Sequence, residues 1–307
     1  MTHAVCVATF YEFTHWGSDR AQEAALTIES AAAFFQVVGL CVTGAEGVNC
    51  TCAGSNDGVS AFIGRMRDEL GLKLSNVKFS TANSLPFNKF EAPLRPEIVT
   101  LGRPGLLEKD APGLRRRASP TEFREALRDP SVQVIDTRNR YETKLGKFSG
   151  AIDPAIDEFQ EFSSYLRSAN LHRDQTTLIY CTGGIRCEKA IVEMETLGFR
   201  DVRQLDGGIL KYLEEFPNDA FEGECFVFDK RIAVDQSLRP SASYRPCPHC
   251  GQPAPAAAVL SCARCEAEAY VCEDCLLRDD RHTCSRNCAH HWRLAPGKRG
   301  RPQLRVR

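Results

Sequence analysis

The chain has 307 residues, of which 43% are hydrophobic and 26% charged, and its formal net charge is −1. This length is enough for two compact domains and a small third one, and the near-neutral charge excludes binding of nucleic acid through the global field alone. No run of about 18 apolar residues is present, which excludes an ordinary membrane-spanning helix. The first residues lack a basic segment followed by an apolar one, so we expect a cytoplasmic protein with no membrane partner.

Residues 1–100 have the pattern of a small α/β domain. Apolar and β-branched stretches predict strands, and stretches rich in Ala, Glu and Leu predict helices. The predicted elements are a strand over 5–11, a helix over 20–38, strands over 39–43 and 48–53, a helix over 59–70 that Asn56 and Asp57 cap and Gly71 ends, and a strand over 74–80. The order βαββαβ predicts a ferredoxin-like (acylphosphatase-like) plait.

Residues 101–118 are rich in glycine and proline and end in three arginines, which predicts a linker. From 119 to 230 the predicted strands alternate with helices. The helices are predicted over 119–127, with Pro120 at the first helical position, 188–197 and 209–215, and the strands over 132–136, 177–181 and 202–205. This alternation predicts a second α/β domain with a parallel sheet.

Cys181 directly follows a predicted apolar strand, so we expect it at the carboxyl edge of the parallel sheet, where α/β proteins place ligand sites. Gly183 and Gly184 allow the backbone to curl tightly and to aim several N–H groups at one point. The start of the next helix and Arg186 add positive charge. These features predict that Cys181 is a thiolate, in a loop that would also hold the terminal sulfur of a persulfide.

Cys187 follows Arg186 near the start of that helix, six positions after Cys181. A neighbouring thiol can attack a persulfide or a sulfenate, which would make Cys187 a resolving or relay thiol. The alternative is a packed helix residue, and the sequence leaves both open.

Three segments together resemble a rhodanese domain: Asp136-Thr-Arg138, the Cys181 loop and Leu205-Asp-Gly-Gly208. In that family the loop cysteine accepts a sulfane sulfur as a persulfide, and Cys181 occupies the matching position. Asp136 and Arg138 match the family's pair at a strand end, which implies that they support the loop or take part in catalysis. A simple ion pair is the alternative for these two residues.

A closer resemblance covers nearly the whole chain in order. Its most specific motif runs from Tyr180 to Ala190, Tyr-Cys-Thr-Gly-Gly-Ile-Arg-Cys-Glu-Lys-Ala, and is similar to the signature of the tRNA wobble-uridine hydroxylase family. Further matches are Ala45-Glu-Gly-Val-Asn49, Glu97-Ile-Val-Thr-Leu-Gly102, Asp136-Thr-Arg-Asn-Arg-Tyr-Glu142 and Phe226-Val-Phe-Asp229. Residues 88–96 are less basic than is usual in the family, and 151–157 keep only part of its pattern, so the substrate contacts differ in detail.

This resemblance implies conversion of the wobble uridine of tRNA to 5-hydroxyuridine with molecular oxygen as co-substrate. Together with the charge of Arg186 and the neighbouring thiol of Cys187, it gives an expected catalytic set of Cys181, Arg186, Asp136, Arg138 and Cys187. The expected substrate-binding residues are Thr182, Gly183, Gly184 and Ile185 in the loop, with Glu46, Asn49 and Lys89 in the plait. A structural role in a turn is the alternative for Glu46 and Asn49. No flavin, haem or nucleotide signature is present, and the partner that supplies sulfur or electrons is not identified.

Eight of the fifteen cysteines lie in the segment 231–292, after the second domain. They form the spaced pairs Cys247/Cys250, Cys262/Cys265, Cys272/Cys275 and Cys284/Cys288. Paired cysteines at such spacing predict two structural zinc ions in a module too small to fold through its core alone. An iron–sulfur cluster or disulfide bonds are the alternatives. Sequential and cross-braced pairings both remain open, and His249, His282 and His290 are possible replacements for a thiolate.

The expected partner is the anticodon loop of tRNA, which a basic track near Cys181 would guide. Its predicted members are Arg115, Arg116, Arg117, Arg138, Arg140 and Lys144, with Arg293, Lys298, Arg299, Arg301, Arg305 and Arg307 from a basic and disordered tail over 293–307. Solvated charge with no ligand is the alternative for each group.

Three functions are compatible with these patterns: a tRNA-modifying hydroxylase, a sulfurtransferase that works through a Cys181 persulfide, and a non-catalytic interaction module built on zinc. The additional plait domain and the extended Cys181 loop favour the first over the second. The combination of Cys181 with Arg186 disfavours the third.

Overall fold

The computed structural model describes residues 5–107 and 117–294, and the backbone of residues 303–306. Contacts divide the chain into two compact units. The larger unit comprises Met1–Phe226 with Asp235–Arg239, and the smaller unit comprises Val227–Val234 with Pro240–Arg307. The larger unit contains two domains, which we call the plait domain and the sheet domain. Residues 108–116 of the predicted linker lie outside the described residues.

The plait domain has the predicted βαββαβ order, followed by one short strand. Its elements are β1 Val5–Phe13, α1 Gly17–Phe34, β2 Val38–Gly44, β3 Gly47–Gly54, α2 Asn56–Leu70, β4 Lys78–Ala82 and β5 Phe90–Glu91. The strand order is β4-β1-β3-β2-β5, with antiparallel pairs except for the parallel pair of β2 and β5. Both helices contribute apolar side chains to one core with the sheet, so the predicted plait is confirmed.

The helix ends of the plait differ slightly from the prediction. Ser55, not Asn56 or Asp57, caps α2, because its hydroxyl accepts the N–H of Gly58 at 3.1 Å. Gly71 ends this helix as predicted, with a positive φ of 70°. The first helix ends at Phe34 rather than at residue 38, because the chain reverses there and enters β2.

The last long strand of the plait begins at Lys78, four residues later than predicted. Leu74 has a positive φ of 43°, and its N–H donates to Glu12 Oε2 at 2.7 Å. Leu74 is buried although it lies in a loop. A buried apolar residue gives the same sequence signal in a loop as in a strand, which explains the difference.

The sheet domain contains the predicted parallel sheet, in the order β6-β10-β9-β7. Its elements are β6 Arg117–Ala118, α3 Pro120–Ala126, β7 Gln133–Asp136, α4 Arg140–Thr143, β8 Gly146–Phe148, the 3-10 helix Phe159–Glu161, α5 Phe162–Ser168, β9 Thr176–Tyr180, α6 Ile185–Thr196, β10 Asp201–Leu205, α7 Gly208–Glu215, β11 Phe221–Gly223 and β12 Cys225–Phe226. The short strands β8 and β11 form a separate antiparallel pair.

Local sequence explains how this domain begins. Ser119 and Glu122 form a reciprocal cap at the start of α3, and Pro120 occupies the first turn. Phe123 of this helix packs on Phe148 and Tyr180, with ring centroids 5.0 and 5.9 Å apart. This aromatic packing fixes the end of β9, the strand that leads directly to Cys181.

A buried ionic cluster joins the plait domain to the sheet domain. Lys189 of α6 is fully buried, and its ammonium lies 2.8 Å from Glu46 and 2.6 Å from Glu97. Helix α6 begins in the Cys181 loop, so this contact ties the plait to the helix that positions the candidate site. Removing one partner of such a cluster leaves an uncompensated buried charge, which costs several kcal/mol (about 3–5).

The smaller unit is built from short elements around cysteine-rich turns. They are β13 Ala233–Val234, β14 Tyr244–Pro246, β15 Pro253–Pro255, β16 Ala258–Ser261, β17 Glu268–Ala269, α8 Glu273–Leu276, the 3-10 helix Asp279–Arg281, α9 Arg286–Leu294 and β18 Gln303–Val306. Its core is small and includes several cysteines, among them Cys247, Cys272 and Cys275. This composition agrees with a module whose folding depends on bound metal.

The end of the chain differs from the predicted disordered tail. Helix α9 extends to Leu294, and Gln303–Val306 pairs with β16 in antiparallel register. Lys298, Arg299, Arg301 and Arg307 lie outside the described residues. Within the part of the chain that the structure describes, we find no helix that is long and apolar enough to span a membrane.

Candidate active site

The loop after β9 holds Cys181 with its sulfur against the backbone. The N–H of Gly184 donates to Cys181 Sγ at 3.0 Å. Gly184 has a φ of 99°, a conformation that side chains disfavour, and helix α6 starts at the next residue, Ile185. The helix therefore begins earlier than predicted, which brings its positive end close to the sulfur. Gly183 has open space where a Cβ would lie, and Thr182 is buried.

The surroundings favour the ionised form of Cys181, although the residue is only 1% exposed. Burial by itself raises the pKa of this thiol. A hydrogen bond from Cys187, the charge of Arg186, and the N–H groups of Arg186 and Gly184 outweigh that effect and lower the pKa to about 6. The surroundings of Cys181 thus favour its thiolate form in a buried site.

Arg186 is held in place by the carboxylate of Glu142, which was not among the predicted site residues. Its two terminal nitrogens donate to Glu142 at 2.5 and 2.6 Å in a bidentate pair, and both side chains are buried. Thr182 Oγ1 donates to the same carboxylate at 3.4 Å. Glu142 closes the Asp136–Glu142 motif, so a sequence signal for it existed. This carboxylate positions the guanidinium whose charge stabilises Cys181.

Cys187 lies in the first turn of α6 and is fully buried. Burial, the hydrogen bond to Cys181 and the negative charge of that sulfur raise the pKa of Cys187 well above its usual range. Thr137 Oγ1 lies 3.8 Å from Cys187 Sγ and donates to the carbonyl of Tyr180 at 3.0 Å. The two cysteines therefore form a thiolate–thiol pair in which Cys187 keeps the proton.

Asp136 and Arg138 lie under the loop and do not reach the solvent. Arg138 donates to both oxygens of Asp136, at 2.7 to 3.2 Å, and to the carbonyl of Gly146 at 2.6 Å. Its guanidinium also lies 5.7 Å from the ring centre of Tyr180, the residue before Cys181. In this geometry the pair supports the end of β9, while a direct catalytic role stays a prediction.

The Gly207-Gly208 turn positions a second helix against the loop. The N–H groups of Ile209 and Leu210, in the first turn of α7, donate to the carbonyls of Cys181 and Thr182 at 3.0 and 3.1 Å. A Cβ on Gly208 would lie 2.5 Å from the carbonyl oxygen of Cys181, so only glycine fits there. This close approach is the structural reason for the Leu205-Asp-Gly-Gly208 motif.

The plait domain contributes two side chains that sequence reasoning missed, Tyr11 and Lys78. The hydroxyl of Tyr11 donates to Glu188 Oε1 at 3.1 Å and lies 3.0 Å from the position of a Cβ on Gly184. Lys78 is 4% exposed, and its ammonium lies 5.1 Å from the Tyr11 ring centre. Burial lowers the pKa of Lys78 to about 8, against the raising influence of Cys181 and Asp206.

Glu46 and Asn49, predicted to face a substrate base, bind the protein itself in this structure. Glu46 Oε1 accepts the N–H of Ile98 at 2.7 Å and also pairs with Lys189. Asn49 Nδ2 donates to the carbonyl of Ile98 at 3.1 Å. Lys89 is exposed and pairs with Glu91 at 2.7 Å. Base recognition by Glu46 and Asn49 stays a prediction. Their observed contacts give the Ala45–Asn49 motif a structural role within the plait domain.

The predicted basic track is only partly described. Arg117 binds Glu188 at 2.9 Å and Asp206 at 3.0 Å, so it belongs to an ionic cluster beside Tyr11. Arg140 is half-exposed and pairs with Asp157 at 2.6 Å, and Lys144 is exposed. Arg115 and Arg116 lie outside the described residues.

Comparisons with known proteins agree with this order of domains. Family models match three successive parts of the chain: a UPF0176 acylphosphatase like domain over 5–98, a rhodanese-like domain over 119–215 and a rhodanase C-terminal region over 222–289. These matches agree with the plait domain, the sheet domain and the cysteine-rich segment.

The tRNA uridine(34) hydroxylase of Bdellovibrio bacteriovorus is 42% identical to this chain over 301 residues, which cover 97% of this chain and 84% of that protein. The chain belongs to the tRNA uridine(34) hydroxylase family. A family member from Wolbachia sp. subsp. Brugia malayi is 38% identical over 273 residues, 88% of this chain and 97% of that protein. One from Jannaschia sp. is 39% identical over 270 residues, 84% of this chain and 88% of that protein.

In this member of the tRNA uridine(34) hydroxylase family, the paired cysteines form two sets of four. One set is Cys247, Cys250, Cys272 and Cys275, and the other is Cys262, Cys265, Cys284 and Cys288. Within each set all donor atoms lie within 4.8 Å of one another. Four sulfurs at zinc–sulfur bond length from one tetrahedral ion are about 3.8 Å apart, so each set fits one such ion.

The two sets alternate along the chain, so the pairing is the cross-braced one of the two that the spacing left open. Neither set includes a histidine among the described residues. His249 Nε2 donates to the carbonyl of Thr283 at 2.8 Å, and His282 Nε2 to that of Leu276 at 2.7 Å. These histidines stabilise the turns around the cysteines.

Proposed function

We propose that this protein hydroxylates uridine 34 of tRNA to 5-hydroxyuridine, with the Cys181 thiolate as its reactive group. The observation that carries the proposal is the sulfur of Cys181, which accepts the N–H of Gly184 beside the charge of Arg186 in a buried loop. The relatives are named tRNA uridine(34) hydroxylase, which indicates the substrate. The loop provides a thiolate with the required reactivity.

Each residue of the site has a role in this proposal. Cys181 is the nucleophile, and Cys187 donates a hydrogen bond to it and keeps the proton of the pair. Arg186 stabilises negative charge on the sulfur and is positioned by Glu142. Asp136 and Arg138 hold the strand end beneath, and the loop residues 182–185 shape the entrance. Lys78 and Tyr11 support the loop from the plait domain.

The reaction replaces the C5–H bond of uracil with C5–OH, a two-electron oxidation that requires an oxygen atom from a co-substrate. We propose molecular oxygen in that position, as the family resemblance implies. One oxygen atom enters uracil, and the other leaves as water after an external two-electron donor supplies two electrons and two protons arrive from solvent. The role of this chain is to hold an anionic sulfur in a site with little water, where charge is weakly screened. The wobble base has to be turned out of the anticodon stack to reach it.

Zinc is the metal that we propose for both cysteine sets, one ion in each. Four thiolates without an open position suit a structural ion rather than a catalytic one. When bound, the ions supply cross-links between turns that have little core of their own. We place the enzyme in the cytoplasm, where its tRNA substrate is available.

The decisive experiment measures 5-hydroxyuridine in tRNA from cells that lack the gene and carry a plasmid copy. We expect the wild type and Cys6→Ser to restore the nucleoside, and Cys181→Ser to lose it. Cys6 is a matched control because its thiol lies in the plait sheet, outside the loop. Full restoration by Cys181→Ser would refute the assignment of Cys181 as the nucleophile. It would favour the alternative of a non-catalytic zinc-based interaction module.

A sulfurtransferase is the second candidate, because the same N–H groups and guanidinium can hold the terminal sulfur of a persulfide. Incubation with thiosulfate and cyanide, followed by measurement of thiocyanate, tests it. Thiocyanate formation that depends on Cys181, together with unchanged 5-hydroxyuridine in the deletion cells, would make sulfur transfer the function.

A further inference from the structure

A basic cavity in the smaller unit has no role in the hydroxylation site described above. It has a volume of about 330 Å³ and lies between the 3-10 turn Asp279–Arg281 and helix α9. Four arginines and one carboxylate line it, namely Arg278, Arg281, Arg286, Arg293 and Asp280, together with His249. A concave surface with four guanidinium groups and one acid is suited to an anion.

Two of these arginines are anchored to the cysteine-rich turns. Arg286 Nε donates to the carbonyl of His249 at 2.9 Å, and Arg281 donates to Cys275 Sγ at 3.0 Å. Within the described residues, no partner binds the two terminal nitrogens of Arg286. Arg286 and Arg293 are seven positions apart on α9, so they lie on one face of the helix. The anchors hold the cavity wall in shape before any ligand binds.

The other two arginines are only weakly neutralised. The carboxylate of Asp280 lies 3.8 Å from Arg278 Nε and 3.6 Å from Arg293 Nη1. Both distances are longer than a hydrogen bond. Their side chains are 57% and 59% exposed, so both guanidinium planes can turn toward a ligand. A single carboxylate at this distance leaves most of the donor capacity of the two arginines unused.

We propose that this cavity binds a backbone phosphate of tRNA, so that the smaller unit docks RNA while Cys181 modifies it. The inference rests on the proposed function, which makes tRNA the substrate. A phosphodiester offers two non-bridging oxygens that share one negative charge, at the spacing that a guanidinium fork matches. Because Arg281 also contacts Cys275 of the first set, the cysteine turn and the phosphate site are built from the same structure.

The test compares binding of an unmodified tRNA transcript to three full-length proteins: the wild type, Arg278→Gln/Arg293→Gln, and the control Arg245→Gln/Arg264→Gln. The control removes two exposed arginines of the smaller unit that do not line the cavity. We expect the cavity variant to bind roughly 10-fold more weakly, and its logarithmic salt dependence to fall by about one phosphate contact, while the control changes neither. Metal content is measured in parallel and stays at the wild-type value.

The outcomes separate this proposal from the proposed function. If the cavity variant binds tRNA as tightly as the wild type, or if the control weakens equally, the phosphate site is refuted even though hydroxylation is retained. If the variant loses affinity for inorganic phosphate but not for tRNA, the cavity is a small-anion site and the RNA assignment is wrong. Failure of the wild type to bind tRNA at all refutes both proposals.

Discussion

Two substitutions at Cys187 test what keeps the proton away from Cys181. Cys187→Ala removes the hydrogen-bond donor to the thiolate, whereas Cys187→Ser keeps a donor of similar size and removes only the sulfur chemistry. A hydrogen bond to a charged group contributes about 1.5–3 kcal/mol, and one pH unit corresponds to about 1.4 kcal/mol. The Cys181 titration is therefore expected to move from about pH 6 upward by about one to two units in the alanine variant.

The assay is the ultraviolet absorbance of the thiolate followed against pH. Subtracting the spectrum of Cys181→Ser at each pH removes the contribution of the other cysteines, including the two sets of four. We expect the serine variant to titrate close to the wild type. An unchanged midpoint in Cys187→Ala, or an equal shift in both variants, would refute the hydrogen bond as the cause. A serine variant with normal titration but no activity would instead make Cys187 a relay thiol.

Three further predictions concern stability. Because the pKa of Cys181 is lowered on folding from 9.0 to about 6, its contribution to the free energy of unfolding is present above pH 9 and is lost as the pH falls through about 6. Its full size is on the order of 4 kcal/mol, seen as the difference between wild type and Cys181→Ser in urea unfolding at several pH values. Lys189→Met leaves Glu46 and Glu97 buried without a counter-charge and is expected to cost about 3–5 kcal/mol in the same assay, whereas exposed Lys144→Met costs less than about 0.5. Removal of metal with a chelator is expected to abolish hydrogen-exchange protection in the smaller unit and to spare the larger one, and equal loss in both units would contradict this.

The parts of the fold that the sequence predicts are those with a local signal. The order of strands and helices in both domains follows from apolar periodicity, and Pro120 and Gly71 mark helix ends through backbone chemistry. The prediction differs from the structure at Leu74, which is buried although it lies in a loop. Burial of an apolar side chain alone does not distinguish a loop from a strand.

The candidate site divides in the same way. Cys181, Gly184 and Arg186 lie within six residues of one another, so one loop motif predicts them together. Tyr11 and Lys78 come from neighbouring strands of the other domain, more than 100 residues earlier, and a single tyrosine or lysine in a strand has no distinctive pattern. The pairing of the cysteines has the same limit, because spacing shows that sulfurs occur in pairs and the fold decides which pairs meet.

The contact between Tyr11 and the loop explains why the plait domain matters for the chemistry. Gly184 needs its positive φ to aim its N–H at Cys181, and the hydroxyl of Tyr11 occupies the space that any side chain at 184 would take. The same hydroxyl binds Glu188 in the first turn of α6, while Lys189, the next residue, binds Glu46 and Glu97. The helix that begins at the reactive loop is therefore held on successive residues by the plait. A rhodanese-like domain alone lacks these contacts, so the geometry of the thiolate site in this chain is a property of both domains together.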